Sequence, residues 1–361
     1  MAEPPVAVSG APSGAPSSSP RLEAWRRRGA GLARVLASLA LTFLGLTAIT
    51  FVIGRVMPLD PVLAIVGDRA PQDVYDAMYV QLGLDQPLYV QYLRYLGQIL
   101  TGDFGISVQT GRPVLNDLMR FFPATLELAT LATLLGVVIG VPAGVLAAVH
   151  QGKLIDHVVR VVGLIGYSMP VFWLGMVALL VFYAKLGWVP GPGRLSVFYD
   201  GMVPPVTGLL LVDSLIAGNA TVFWNAVEHL ILPVSILGAF ALAYIARMTR
   251  SFMLDQLRQE YVLTARVKGL AERTVIWRHA FGNVLVQLIT TIGLTYASLL
   301  EGSVLTETVF AWPGIGQYIT NALFNSDMNA VIGGTIVVGT CFVGINMLSD
   351  ALYRTVDPRA R

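Results

Sequence analysis

Charge is scarce in this 361-residue sequence: Asp, Glu, Lys and Arg make up 13%, where a soluble domain carries roughly a quarter. Hydrophobic residues account for 55%. A soluble protein of this length needs a polar covering, and so few charged groups cannot supply one. The composition argues against a soluble enzyme and for an outer face that meets lipid. A strong basic excess is also missing, because 24 basic against 22 acidic residues leave a formal charge of +2. No nucleic-acid surface is expected from that balance. Cys341 stands alone, which excludes an internal disulfide and a cysteine-based structural zinc site. His150, His157, His229 and His279 are scattered and show no HExxH or comparable metal spacing.

Catalytic and nucleotide signatures are lacking too. No G-x-S-x-G and no G-x-G-x-x-G occurs. Gly152-Lys153 has the flavour of a phosphate-binding loop, but Leu154 follows where Ser or Thr is needed, and Ala147 stands in the place of the first glycine. No catalytic residue, metal or bound cofactor is therefore expected in this chain. If it moves a solute uphill, the energy must come from a partner.

Long apolar runs are abundant. About 20 mostly apolar residues cross a bilayer, and six stretches qualify: 35–54, 125–149, 161–184, 230–246, 284–303 and 331–353. The first follows Arg26-Arg27-Arg28 and Arg34. It is too long for a signal peptide and is followed by Arg55, Met57 and Pro58 rather than a cleavage site, so it reads as a retained helix. With the N-terminus inside, segments 1–34, 150–160, 246–283 and 354–361 hold 17 basic residues, while the longer outer segments 55–124, 185–229 and 302–330 hold 7. That bias places both termini in the cytoplasm. Residues 1–20 are Pro, Ala, Ser and Gly with almost no apolar periodicity, so a disordered cytoplasmic tail is expected over 1–30. The outer region 58–124 has room for small helices near Gln72 and Leu88. Gly191-Pro192-Gly193 marks a turn in the second outer stretch, and the apolar piece at 209–212 is too short to span.

Ion-driven carriers keep ionisable groups at mid-membrane, and here few are available. Glu127 and Glu301 lie near outer span ends and Asp350 near an inner one. Each reads as a helix cap or interfacial pair, or else as a polar spot on a solute path. Asn346 reads as an interhelical hydrogen bond or a further path residue. Pro142, Gly144, Pro170 and Gly175 permit bends within spans, or close helix packing. An ion-coupled carrier would need inverted repeats and a mid-membrane acid, and an intramembrane enzyme would need paired catalytic groups at depth. The sequence offers neither set.

Between the fourth and fifth runs, Leu257, Tyr261 and Ala265 recur at i, i+4 and i+8, which predicts one apolar stripe on a helix. Arg258, Arg266 and Lys268 lie off it, and Gly269 suits a helix end. A second helix is expected from near Ala271 through Trp277 and His279 into the fifth span. Such a short helix can lie on the membrane, connect spans, or dock in a groove on a cytoplasmic partner. Small residues at Thr264-Ala265 and the tight glycine turn permit close docking.

The stretch Tyr261-Val262-Leu263-Thr264-Ala265-Arg266-Val267-Lys268-Gly269-Leu270-Ala271-Glu272-Arg273 resembles the "EAA" loop of ABC importer permeases, in the form found in dipeptide, oligopeptide and nickel permeases. Leu263 stands where the generic motif has glutamate. Arg278-His279-Ala280-Phe281-Gly282-Asn283 continues the likeness, and Gln287 replaces a usual proline. Leu82-Gly83-Leu84-Asp85-Gln86-Pro87, Gly102-Asp103-Phe104-Gly105, Phe122-Pro123-Ala124-Thr125-Leu126-Glu127, Tyr167-Ser168-Met169-Pro170, Glu307 through Gly316, and Asp357-Pro358-Arg359 resemble the family in order. The likeness covers about 33–361.

The resemblance implies an all-α polytopic protein with six transmembrane helices and the type I ABC importer permease fold, occupying 31–361. It implies a bacterial inner-membrane location and import of di- or oligopeptides, with nickel or another small solute as the alternative. It implies a homologous second permease, two cytoplasmic ATPases that use ATP and Mg, and an extracytoplasmic solute-binding protein. Within the cytoplasmic loop 250–280, the expected ATPase-coupling residues are Leu257, Glu260, Tyr261, Thr264, Ala265, Arg266, Lys268, Gly269 and Leu270. Glu301 and Asn346 are candidates for the substrate path. Trp312-Pro313-Gly314-Ile315-Gly316 is expected outside, as a turn with an interfacial Trp or as a contact with a partner.

Overall fold

The computed structural model describes residues 37–54, 61–67 and 69–356. The tail expected over 1–30 and the stretch 357–361 lie outside the described residues, as does the side chain of Asp350. The helices in chain order are α1 (Ala37–Gly54), α2 (Pro61–Val66), α3 (Gln72–Gln81), α4 (Leu88–Leu100), α5 (Val114–Val149), α6 (Leu154–Ser168), α7 (Val171–Ala178), α8 (Leu210–Ile216), α9 (Ala220–Leu257), α10 (Glu260–Val267), α11 (Glu272–Thr274), α12 (Phe281–Val309), α13 (Ile315–Phe324) and α14 (Met328–Val356). Wide π-type turns extend α7 through Leu179–Lys185 and join α11 to α12 through Val275–Ala280. Among the described residues there is no β-strand, only an isolated bridge between Ile106 and Pro113. The chain divides into two compact units, one ending at Leu46 and the other beginning at Thr47. The helical bundle belongs to the second.

Among the described residues, five helices are long and apolar enough to cross a membrane singly: α1, α5, α9, the run Glu272–Val309, and α14 to Ser349. The third expected span differs. The segments Leu154–Gly166 and Val171–Lys185 meet at a bend of 94°. Pro170 explains it, because its ring disfavours a helical residue before it and it brings no N–H. Met169 accordingly sits extended, with φ −92° and ψ 136°. Pro123 and Pro142 lie inside α5 without ending it.

α5 and α9 form the centre of the bundle. With 36 and 38 residues, they run about 54 and 57 Å, well beyond a hydrocarbon layer of about 30 Å. Both therefore project past the bilayer. Between two helices in lipid, association depends on close packing rather than removal of water. Gly136, Gly140 and Gly144 recur every fourth residue and face α9. A Cβ on Gly136 would stand 2.7 Å from Ala241 Cβ, and one on Gly144 would stand 2.5 Å from the Ala246 carbonyl oxygen. Gly144 is thus a packing glycine, and so is Gly175, whose Cβ would come 3.1 Å from the Phe310 ring. The apolar core continues from Leu128, Val141 and Val145 of α5 through Leu237, Ile245 and Met253 of α9 to Val284 and Leu288 of α12.

The short helices before α5 and the loop that follows α4 are fastened by side chains. Thr47 and Thr50 of α1 share hydrogen bonds with Tyr92 and Tyr95 of α4 at 3.0 and 2.9 Å. Asp327, just before α14, accepts the Ser107 hydroxyl at 2.5 Å and the Gln109 N–H at 3.1 Å, and Arg112 pairs with buried Asp117 at 2.7 Å. The 103–113 loop is thereby held against the bundle.

Candidate functional site

The loop 250–280 departs from the expected single stripe. α9 ends at Leu257. Gln259 is extended at φ −75° and ψ 149°, and α10 starts afresh at Glu260. Leu257 and Tyr261 therefore do not share a helix, and the i, i+4, i+8 ridge is broken after its first member. The faces are also reassigned. Val262 and Ala265 point inward, 0% and 6% exposed, into the core shared with Val275, Ile276 and Ala280. Ala265 supports α10 from beneath rather than offering a contact. The apolar face open to a partner is Leu263, Val267 and Leu270, at 62%, 81% and 42% exposure. Leu263 and Val267 are an i, i+4 pair on α10, and Leu270 stands just past the Gly269 turn.

The remaining loop residues fix the ends of α10. Tyr261 is half open and donates its hydroxyl to Gln256 Oε1 at 2.8 Å, bridging the break. Thr264 donates to the Glu260 carbonyl at 2.9 Å. Past Lys268, Gly269 takes φ +76°. Its N–H reaches the Arg266 carbonyl at 2.9 Å, and the Leu270 N–H reaches Ala265 at 3.3 Å. These two bonds are the Schellman arrangement, in which a left-handed residue closes the helix. A Cβ on Gly269 would meet no atom within 4 Å, so glycine is required there by backbone angle and not by crowding. Arg266 pairs with Glu272 at 2.6 Å across the turn, both well exposed.

A second constellation lies at the other end of α5, and the sequence did not reveal it. Glu307 of α12 is fully buried. Thr125 and Ser303 donate to its Oε1 at 2.7 and 2.9 Å, and the Gln317 N–H to its Oε2 at 3.0 Å. Thr125 in turn accepts the Ile315 N–H at 2.8 Å. Trp312 is fully buried and donates its indole N–H to the Ala124 carbonyl at 2.9 Å. It is not the interfacial anchor that the sequence suggested but a core residue pinning the α12–α13 turn to α5. Gly314 and Gly316 are needed for close approach, since a Cβ on either would lie within 3 Å of the Glu307 carboxyl group. Only folding brings 125 and 307 together, so no local motif announces the pair.

Next to this hub, Glu127 receives Arg194 at 2.5 Å and the Leu211 N–H at 2.8 Å. Glu127 is thus an interfacial partner rather than a free acid. Arg194 also donates to the Gly208 carbonyl at 2.9 Å, and its guanidinium lies 5.8 Å from the Trp312 ring centre. A cavity of about 560 Å³ opens here, lined by Arg120, Arg194, Asp200, Asp213 and Pro313 among others. Glu301 and Asn346 do not line it. Glu301 is exposed on α12, and Asn346 on α14 keeps a buried Oδ1 without a partner. Among the described residues no group of three or more His, Cys, Asp or Glu could hold a metal.

A bundle of long apolar helices, with a short helix mounted on one end and a pinned turn at the other, is the architecture of a multi-pass membrane protein. Residues 140–361 match the family described as binding-protein-dependent transport system inner membrane component, and residues 31–129 match its N-terminal companion. The chain belongs to this family. Over 89% of its length it is 46% identical to the probable D,D-dipeptide transport system permease protein DdpB of Escherichia coli K12, covering 94% of that protein. It is 45% identical over 91% of its length to the di/tripeptide transport system permease protein DppB of Pseudomonas aeruginosa UCBPP-PA14, covering 98% of it. It is 42% identical over 89% of its length to the dipeptide transport system permease protein DppB of Escherichia coli K12, covering 95% of it. Among solved structures, an inward-facing crystal form of the MetNI methionine ABC transporter aligns with a TM-score of 0.50 at 19% identity, over 66% of this chain and 96% of that one. The fold is that of a type I ABC importer permease. The protein is a multi-pass inner-membrane component that works with partner subunits.

Proposed function

We propose that this chain is one half of the translocation pathway of an ATP-driven importer of di- and oligopeptides. A homologous permease supplies the other half, two cytoplasmic ATPases use ATP and Mg, and an extracytoplasmic binding protein delivers the peptide. Both termini face the cytoplasm, in keeping with the distribution of Lys and Arg. The peptide assignment rests on relatives of 42–46% identity, matched over nearly their whole length, whose names specify dipeptides or tripeptides.

One observation carries the coupling mechanism: α10 exposes Leu263 and Val267, with exposed Leu270 just past its closing turn, while Val262 and Ala265 are embedded in the core of α5, α9 and α12. A helix with an open apolar face fits a groove on a partner. The buried edge makes α10 move with the spans, so a swing of the ATPase reaches the bundle without being absorbed by a loop. Tyr261, Thr264 and the Gly269 turn hold its orientation, and Glu260, Arg266 and Lys268 flank the ridge.

Val267→Asp tests this. The purified variant should keep its thermal midpoint, because the position is exposed. Uptake of a labelled dipeptide by a deletion strain should fall at least tenfold, as expected when a charge enters an apolar groove at about 1.4 kcal/mol per decade. Normal uptake in Val267→Asp and Leu263→Asp together would remove α10 as the docking element. Gly269→Asn, which tolerates a left-handed backbone, should transport, whereas Gly269→Val should not.

A further inference from the structure

Between α6 and α9, at the end nearer α10, lies a cavity of about 360 Å³. Its two ends differ in chemistry. Toward the bundle, Gly166 lets α6 approach α9, since a Cβ there would stand 3.3 Å from Ala243 Cβ. The neighbouring wall is Val161 and Leu164, 54% and 68% exposed. At the opposite end stand His157, Arg160, Arg247 and Arg250. The adjacent acid, Asp156, is buried and already satisfied: Arg250 reaches it at 2.5 and 2.9 Å, and the Gly152 N–H at 2.9 Å. Arg250 is thereby fixed as part of the wall. Arg247 lies 5.3 Å from the centre of the Tyr244 ring, which orients its guanidinium. Arg160 is exposed and makes no ion pair among the described residues.

We propose that this cleft seats one anionic phospholipid of the inner leaflet, its headgroup phosphodiester on Arg160 and Arg247 and its acyl chains along Val161 and Leu164. Charge complementarity selects the phosphate, and basic clefts between helices near the cytoplasmic surface suit such headgroups. The exposed apolar wall selects a lipid over free phosphate, because an inorganic anion would leave Val161 and Leu164 unused. The volume lies in the usual range for a ligand site. The bound lipid bridges α6 and α9, the two helices that carry the α5–α6 turn and the base of α10. The inference rests on the proposed orientation of the termini, which sets this end of α6 at the cytoplasmic surface.

The test uses the whole transporter in nanodiscs of phosphatidylcholine doped with a photoactivatable phosphatidylglycerol. Cross-links should map to residues 157–164 and 243–250, and a photoactivatable phosphatidylcholine should leave these residues unlabelled. Arg160→Gln should raise the phosphatidylglycerol fraction needed for half-labelling by about fivefold, the share of one surface arginine. Arg160→Lys should restore it, and inorganic phosphate should not compete. Both variants leave the Asp156–Arg250 pair intact, and an unchanged thermal midpoint confirms folding. Equal labelling by phosphatidylcholine, indifference to Arg160→Gln combined with Arg247→Gln, displacement by inorganic phosphate, or cross-linking to an ATPase instead of lipid would each overturn the proposal. The readout needs neither peptide nor ATP, so loss of peptide uptake in the Val267→Asp test leaves it untouched.

Discussion

At the end of the bundle that the proposed orientation places outside, Glu307, Thr125 and Trp312 are buried, and both Glu307 oxygens accept hydrogen bonds from α5, α12 or α13. At the end that the same orientation places inside, Leu263 and Val267 of α10 and Leu270 just past it stand open, and the ion pair of the turn, Arg266–Glu272, is 42% and 53% exposed. The first arrangement resists change because any shift leaves a desolvated polar group without a partner. The second leaves a surface unfinished until something covers it. In the proposed cycle both are needed: a joint that does not slip, and a handle whose open face receives the ATPase while its buried face is keyed to the bundle.

The sharpest way to break that contrast is Glu307→Ala. It strands the Thr125 hydroxyl and the Gln317 N–H in a dry site, while Ser303 keeps the Leu300 carbonyl at 3.2 Å, and should cost about 2–4 kcal/mol. The measurement is thermal unfolding in detergent, where Glu307→Gln, which keeps one carbonyl acceptor, should lose markedly less. If Glu307→Ala unfolds no earlier than Val267→Asp, the outer end is no stiffer than the inner one.

Acid probes the outer end more gently. Burial raises the Asp213 carboxyl, but the N–H groups of Thr207, Gly208 and Val206 and the Thr207 hydroxyl outweigh it and hold the group below its ordinary 3.8. A carboxyl lowered in the folded state contributes stability that is complete above the unfolded pKa and lost as pH falls through the folded one. Proteolysis of the 194–213 segment should therefore accelerate below about pH 4. Asp213→Asn should be cut faster at neutral pH, by about 1–2 kcal/mol of lost protection, with the acid dependence flattened.

The two regions were unequally legible in the sequence. The long runs showed α5, α9, α12 and α14 because twenty apolar residues in a row have few other uses, and Gly269 announced the end of α10 because φ +76° demands it. The bend at Met169-Pro170 was visible as a proline but not as a 94° turn, since prolines at 123 and 142 leave α5 continuous. The exposed face of α10 was misread for a local reason: Leu257 and Ala265 both pack on the core, so the stripe they mark is the side keyed to the bundle, and spacing alone does not tell that side from one left open. The outer hub was hidden for a global one. Thr125 and Glu307 are 182 positions apart, and nothing in either neighbourhood marks the other.

The smallest expected effect falls on the inner turn, and its smallness is informative. Arg266 meets Glu272 through two contacts, at 2.6 and 3.2 Å, a geometry that in a buried site would be strong. Here water screens both groups, and exposed pairs contribute below about 1 kcal/mol. A double-mutant cycle of Arg266→Ala and Glu272→Ala, read by thermal unfolding of the isolated permease, should give a coupling of a few tenths of a kcal/mol at most, shrinking with salt. Repeated with the ATPase subunits bound, the cycle should grow if docking covers the turn, because exclusion of water strengthens the same pair. A coupling unchanged by the partner would mean that the ATPase grips Leu263 and Val267 without closing over Gly269.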